Sequence, residues 1–342
     1  MTMVTNAQNT YNAVGIREDL EDVVYRIDPD KTPFLSNLTA DVVGQQTKHE
    51  WQTQGLTAPA VNSQLEGNVI TAGPAKNRSR IANYMNISTK SYAVTGTERA
   101  VNIAGVQDEY DEQRLLKALE LKRDMEITLL TNQAYLSTAG TTTARNCAGL
   151  PAYITNWDAG ITQYTAPTGD GTDAWNFAAI TAAAGSARAL SLSILNTATY
   201  NGVVKGAQPN MMLLSAYQKK AFSQLALTAT SGAVQLRYNM PDEMQGRLIS
   251  AVEMWQSDYG AIQVVPDIQM DLDPGGAYKS TTQKYEVFIL DTRYLACVYL
   301  NGRQFVSRDL GVTGDADQGY VLSEYTLRVG APLAQSWVPV LT

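Results

Sequence analysis

The chain has 342 residues, 44% of them apolar and only 17% charged, and its 26 basic and 33 acidic side chains leave a net charge of −7 and a pI near 4.9. That acidic balance argues against a dedicated nucleic-acid binder, which carries a basic footprint. No apolar run reaches the length of a membrane-spanning helix, and the first two dozen residues lack a signal-like apolar core. A soluble chain made in a reducing compartment is expected, with Cys147 and Cys297 as buried free thiols. The charged fraction lies below the usual ~25%, which suits surface meant for contact with other subunits.

Residues 1–40 open polar, then carry an acidic helical patch from Ile16 to Ile27 that ends at the prolines Pro29 and Pro33. Phe34, Leu35 and Leu38 follow as an apolar anchor, so a mobile arm with a short helix is expected. From Val42 to Gln54 the sequence alternates, with Thr47, His49, Trp51 and Thr53 on one side and Lys48, Glu50 and Gln52 on the other. A loop rich in Gly, Pro, Asn and Ser leads to a second alternating run, Arg80 to Val94, with Ile81, Asn83, Met85, Ile87 and Thr89 facing one way. Two extended arms of this kind, at ~3.3 Å per residue, would reach about 35–50 Å. Both faces are mostly polar, and an isolated two-stranded ribbon is marginal in water. The ribbon is therefore expected to lie on a neighbouring subunit.

Gly105 to about Thr138 reads as one long helix, free of Pro, with Asp108, Glu109, Asp111 and Glu112 in its opening turns. Leu121, Met125 and Leu129 recur every fourth residue as an apolar stripe. Roughly thirty residues give a rod of about 45–50 Å. Beyond a loop, Asp173 is expected to cap a helix, Ala174–Tyr200, that stops at Asn201-Gly202. Pro209–Leu214 reads as a short buried strand, and Ser215 as the cap of the helix Ala216–Leu227. Strands are expected within Leu248–Trp255 and Ala261–Pro266, which makes an α/β domain over about 145–280. The last stretch is strand-dense. Tyr285–Leu290 comes first, then Leu295–Leu300, turned at Asn301-Gly302 into a hairpin with Gln304–Val306, and Tyr320–Val329 is the expected final strand.

Chemistry is hard to find. The one histidine, His49, lies on the polar ribbon, a poor place for a catalytic or metal-binding imidazole. No phosphate-cradling G-x-x-x-x-G-K-[ST], G-x-G-x-x-G, H-E-x-x-H or G-x-S-x-G occurs. Asp267, Asp271 and Asp273 begin like a calcium loop, but Thr282 stands where the closing Glu belongs, so a solvated acidic turn is expected. Asp315 and Asp317 read the same way. No catalytic residue, cofactor or metal is expected.

An extended polar hairpin, a long helix, an α/β domain and closing strands, in that order, resemble the major capsid proteins of tailed bacteriophages. The resemblance rests on NRSRIANYMNISTKSYAVTGTERAV (Asn77–Val101), ELKRDMEITLLTN (Glu120–Asn132) and GVTGDADQGYVLSEYTLRV (Gly311–Val329), and spans nearly the whole chain. It implies an α+β fold of the Hong Kong 97 type, with an N-terminal arm (1–40) and an extension loop (41–100). A peripheral domain with its spine helix (101–144 and 281–342) and an axial domain (145–280) complete it. It further implies a virion protein made in the host cytoplasm, assembling with itself into hexamers and pentamers around packaged double-stranded DNA. Portal, scaffolding and decoration proteins are implied as further partners, and a membrane is not. On the extension loop, Lys48, Glu50, Trp51, Arg78, Arg80 and Tyr84 are the candidate inter-subunit contacts. An encapsulin-like compartment protein shares the implied fold and is the nearest alternative. A tail or neck component, and an α/β enzyme using the carboxylates of Asp267–Asp273, are the others.

Overall fold

The computed structural model describes residues 31–40, 42–70, 73, 77–101, 103–137, 143–154, 156–157, 189–227, 253–272, 285–311 and 314–341. In chain order the first elements are helix α1 (Pro33–Asn37) and strands β1 (Val43–Gly44), β2 (Lys48–Thr53), β3 (Ser79–Tyr84) and β4 (Asn86–Thr95). Helices α2 (Gly96–Ala100) and α3 (Glu109–Leu130), strand β5 (Asn156–Trp157), helix α4 (Leu192–Val204), strand β6 (Met211–Ser215) and helix α5 (Ala216–Leu227) come next. The chain continues through β7 (Met254–Ser257), β8 (Gly260–Asp267), β9 (Tyr285–Leu290), β10 (Leu295–Leu300), β11 (Val306–Asp309), β12 (Ala316–Val329) and β13 (Ser336–Leu341).

Two sheets carry the molecule. β12 is the axis of the first: β4 runs antiparallel along one edge, β10 and β11 lie end to end along the other, and β1 adds in parallel to β10. The second has the order β5-β13-β9-β6-β8-β7 and combines parallel with antiparallel pairs. Strands β6 and β9 are apolar along nearly their whole length, Glu286 of β9 being half-buried, because each is covered on both faces. On one face Met211, Leu213, Phe288 and Trp337 join Met125 and Leu129 of α3 and Leu295, Cys297, Tyr325 and Leu327 of the first sheet in one core. On the other, Met212, Leu214, Val287 and Ile289 pack under Leu195 and Ala198 of α4 and Phe222 of α5. The thiols Cys147 and Cys297 are free and buried, and burial pushes both up to about 12.

Several expectations meet tertiary constraints. The helix expected over Gly105–Thr138 spans 22 residues, about 33 Å at 1.5 Å per residue. Asp108 caps it by accepting from Tyr110 N, and Thr131 leaves it in extended conformation. There the chain at 146–149 crosses its end. Gln133 Nε2 donates to Thr128 O (3.2 Å) and Cys147 O (3.0 Å), and a Cβ on Gly149 would fall 1.9 Å from Thr131 O. The arm expected as one run from Arg80 to Val94 breaks at Met85, whose N donates to Thr47 O at 2.8 Å and whose O accepts from Arg145 Nε at 2.8 Å. The break reverses the faces. Ile81, Asn83 and Met85 are buried, whereas Ile87 is exposed and Tyr92 and Val94 turn inward.

Residues 189–191 are not helical and Ser191 caps α4, so no continuous helix runs from Ala174 to Tyr200; the expected Asp173 cap lies outside the described residues. Gly202 lies inside α4, which ends at Val204, with Gly206 (φ +93°) just beyond its cap Lys205. The hairpin expected between β10 and β11 does not form: Gly302 (φ +70°) shifts the chain sideways, and both strands pair with β12. β12 is not the last strand either. Strand β13 follows and enters the second sheet beside β9, so a division at 281 falls inside that sheet's chain segment. The acidic patch Ile16–Ile27 and Asp273 lie outside the described residues. The apolar anchor of the arm is seated as expected, with Phe34 and Leu38 buried.

Candidate assembly surface

Strands β2 and β3 form their own two-stranded ribbon, pairing Lys48 with Tyr84 through Thr53 with Ser79. The ribbon's base is fixed to its own subunit, contrary to the expectation that it rests entirely on a neighbour. Asn83 does most of this. Fully buried, its amide donates to Leu327 O (2.8 Å) and Ala148 O (3.3 Å), and its oxygen accepts from Ala148 N and Tyr84 N (both 2.9 Å). Trp51 Nε1 donates to Val329 O (2.9 Å) and its ring tilts against Tyr153, whose hydroxyl donates to Ala82 O (3.1 Å). Just below the ribbon, Arg145 reaches from Met85 O to the buried carboxylate of Glu324, which Arg303 also contacts (2.6 Å).

Beyond the base the ribbon leaves the body. Every residue from Gln54 to Ile70 is exposed. Among them are five large apolar side chains: Leu56, Val61, Leu65, Val69 and Ile70 are 83–96% exposed. Local polar contacts shape this stretch without covering those side chains: Gln64 bonds Asn62, Asn68 bonds Gln64, and Asn68 N turns back to Leu65 O around Gly67 (φ +78°). A loop of this length with no regular structure is uncommon in a compact domain, and burying one such apolar side chain fully is worth about 1.5–3 kcal/mol.

The six candidate contact residues separate into two groups. Lys48 and Glu50 pair at 2.5 Å, Arg80 approaches Glu50 at 3.7 Å, and Arg78 bonds Gln52 and Gln54, all at the solvent-facing rim. Trp51 and Tyr84 instead serve the subunit's own interior, Trp51 as above and Tyr84 through a tilted ring contact with Tyr135 at 5.2 Å. His49 is half-buried 5.9 Å from the Trp51 ring. Burial first, then the Arg328 charge, lowers its pKa, so its imidazole is neutral at pH 7. Sequence reasoning passed over the exposed apolar side chains because they are scattered through a Gly- and Pro-rich window; their signal was apolar residues in a stretch with no periodicity to bury them.

Neither acidic turn is simply solvated. Asp267 is fully buried, Asp271 Oδ2 caps α5 at Ala216 N (2.8 Å), and Asp317 pairs with Arg99 (2.6 Å), which also holds Asp108 (3.0 Å). Among the described residues no three His, Cys, Asp or Glu side chains are grouped to hold a metal ion.

A family model described as SU10 major capsid protein matches residues 3–342. A search of curated proteins finds no match. Among solved structures, the capsid asymmetric unit of cyanophage A-1(L) superposes with a TM-score of 0.61 at 15% identity, covering 99% of each chain. A Gordonia phage Cozz chain gives 0.58 at 11%, covering 99% of this chain and 97% of that one. The encapsulin SrpI of Synechococcus elongatus gives 0.51 at 10%, covering 96% of each. Likeness at such low identity concerns the fold, which is of the Hong Kong 97 type.

Proposed function

The chain belongs to the SU10 major capsid protein family, and from that premise we propose how one subunit joins the next. A major capsid protein works in many copies as part of the virion, and the exposed apolar loop is the observation that carries the rest. In this reading the loop lies over an adjacent copy, which covers Leu56, Val61, Leu65, Val69 and Ile70. Lys48, Glu50, Arg78 and Arg80 form the polar rim of that contact, while Trp51 and Tyr84 set the angle at which the ribbon departs. The first sheet with α3 acts as the peripheral domain, and the second sheet with α4 and α5 as the axial domain.

The copies gather as hexamers and pentamers into an icosahedral head around double-stranded DNA. Portal, scaffolding and decoration proteins are further partners, and synthesis takes place in the host cytoplasm. The protein is not an enzyme in this account. A shell needs many repeated weak contacts, and closed symmetry multiplies each one. The encapsulin likeness is one of fold and lies at the lower end of the superpositions above.

Replacing Gln54–Ala75 with a short Gly-Ser bridge tests the reading. The expected product is a folded subunit, by circular dichroism and gel filtration, that builds no shells under the electron microscope. Normal shells from the deletion would remove the loop from the assembly mechanism.

A further inference from the structure

Helix α3 places a carboxylate within its buried face. Glu126 has no exposed surface, and its two oxygens accept from Phe34 N at 2.6 Å and Leu35 N at 2.7 Å, the amides of the first turn of α1. The end of β8 brings a second carboxylate to the same point. Asp267 is equally buried; its Oδ1 accepts from Gln269 N at 2.8 Å, and its Oδ2 finds no hydrogen-bond donor among the described residues. The two carboxyl groups are hydrogen-bonding neighbours, and α1 packs on both α3 and β8 where they meet. Among the described residues neither has a cationic partner. Two adjacent carboxylates out of water do not both stay ionised.

We propose that Glu126 and Asp267 hold one proton between them, and that this proton fastens α1, near the end of the N-terminal arm, to the body of the subunit. The oxygen of Asp267 that lacks a donor is satisfied by that proton, and the pair keeps an oxygen available for each amide of α1. The surrounding groups leave the proton in place. Asp271, on the same turn, faces Ala216 N at the start of α5; Cys297 on β10 is a neutral thiol; Tyr285 on β9 lies beyond Asp271. On α3 the neighbouring Asp124 pairs outward with Lys90 (2.7 Å), and α1 itself, PFLSN, has no titratable side chain.

Burial raises both carboxyls, Glu126 well above the ordinary range and Asp267 to about 6. The Asp267 charge adds to the shift of Glu126 against the amides of Leu35 and Phe34, whereas the Gln269 amide and the Glu126 carboxyl hold Asp267 down against the charge of Asp271. The sign follows from linkage. An undocked, hydrated pair ionises near the ordinary carboxyl pKa of ~4, whereas the docked pair keeps its proton. Docking is therefore fully favoured below that range and lost as pH rises through about 6 and beyond, by up to roughly tenfold per pH unit.

The test is hydrogen exchange of the Phe34, Leu35 and Ser36 amides in the free full-length subunit from pH 4 to 9, expressed as protection factors corrected for intrinsic rates. The amides of β9 serve as the reference. Protection of α1 should fall steeply with pH while that of β9 does not, and Asp267→Asn, neutral at every pH, should flatten the slope. Glu126→Gln provides a second arm if the first variant fails to fold, and the difference between α1 and β9 in the unmodified chain decides the matter if both do. A flat α1 profile, or the same slope in Asp267→Asn, overturns the proposal. So does millimolar calcium or magnesium chloride that abolishes the slope, since a cation would then occupy the proton's place. The readout needs no shell, so it stands or falls separately from the assembly role of the loop.

Discussion

Asn83 shows how much of this fold depends on one polar side chain in an apolar place. Four hydrogen bonds link it to Ala148, Leu327 and Tyr84, and so to the chain beyond α3 and to β12. Removing the amide strands backbone groups that water cannot reach, at a cost of about 2–3 kcal/mol. Asn83→Ala should lower the urea midpoint accordingly with an unchanged denaturant slope. A shift under about 0.5 kcal/mol would mean that the site admits replacement water. From sequence, Asn83 is legible as sharing one face of the ribbon with Ile81 and Met85, but not that this face is buried. Its partners are not legible, because they lie 65 and 244 positions away.

Among the elements, those whose burial is local were legible and those decided by distant pairing were not. β6, β9, β10 and α5 follow from apolar runs and a serine cap, and match their expected bounds closely. The break at Met85 has no local mark, since alternation continues through it; β2 claims the residues before it and β12 those after. β13 escaped notice because Pro339 interrupts its apolar run, and the register shifts there. The end of α3 likewise depends on the crossing chain at Gly149, which makes it testable. Gly149→Ala places a methyl 1.9 Å from Thr131 O and 3.0 Å from its carbonyl carbon, against backbone that has no rotamer to yield. The expected result is a loss of about 1–3 kcal/mol, as for overpacking, read from thermal unfolding. An unchanged melting temperature would show that the crossing chain is free to move away.

For the whole molecule, the base of the ribbon is anchored and its tip is uncovered. Leu56, Val61, Leu65, Val69 and Ile70 contribute little to the isolated fold, because it leaves them 83–96% exposed. Changing all five to Ser should leave the melting temperature of the subunit where it is and suppress shell formation, measured by light scattering and electron microscopy. A lower melting temperature with intact shells would place those side chains in the subunit's own interior instead. The capsid order of elements could be read along the chain, while the exposure of the tip's apolar side chains needed coordinates to show that none of the described residues shelters them.

The anchoring of the ribbon also dictates a timetable. Trp51 and Asn83 are tied to Val329 and Leu327, and the second sheet closes only when β13 slips in beside β9. A ribosome that has made the first hundred residues has already released the tip; Ala148 and Tyr153 reach the ribbon's base some fifty residues later, and its partners on β12 only after more than two hundred further residues. The base of the ribbon thus gains its last hydrogen bond only once translation has passed Val329.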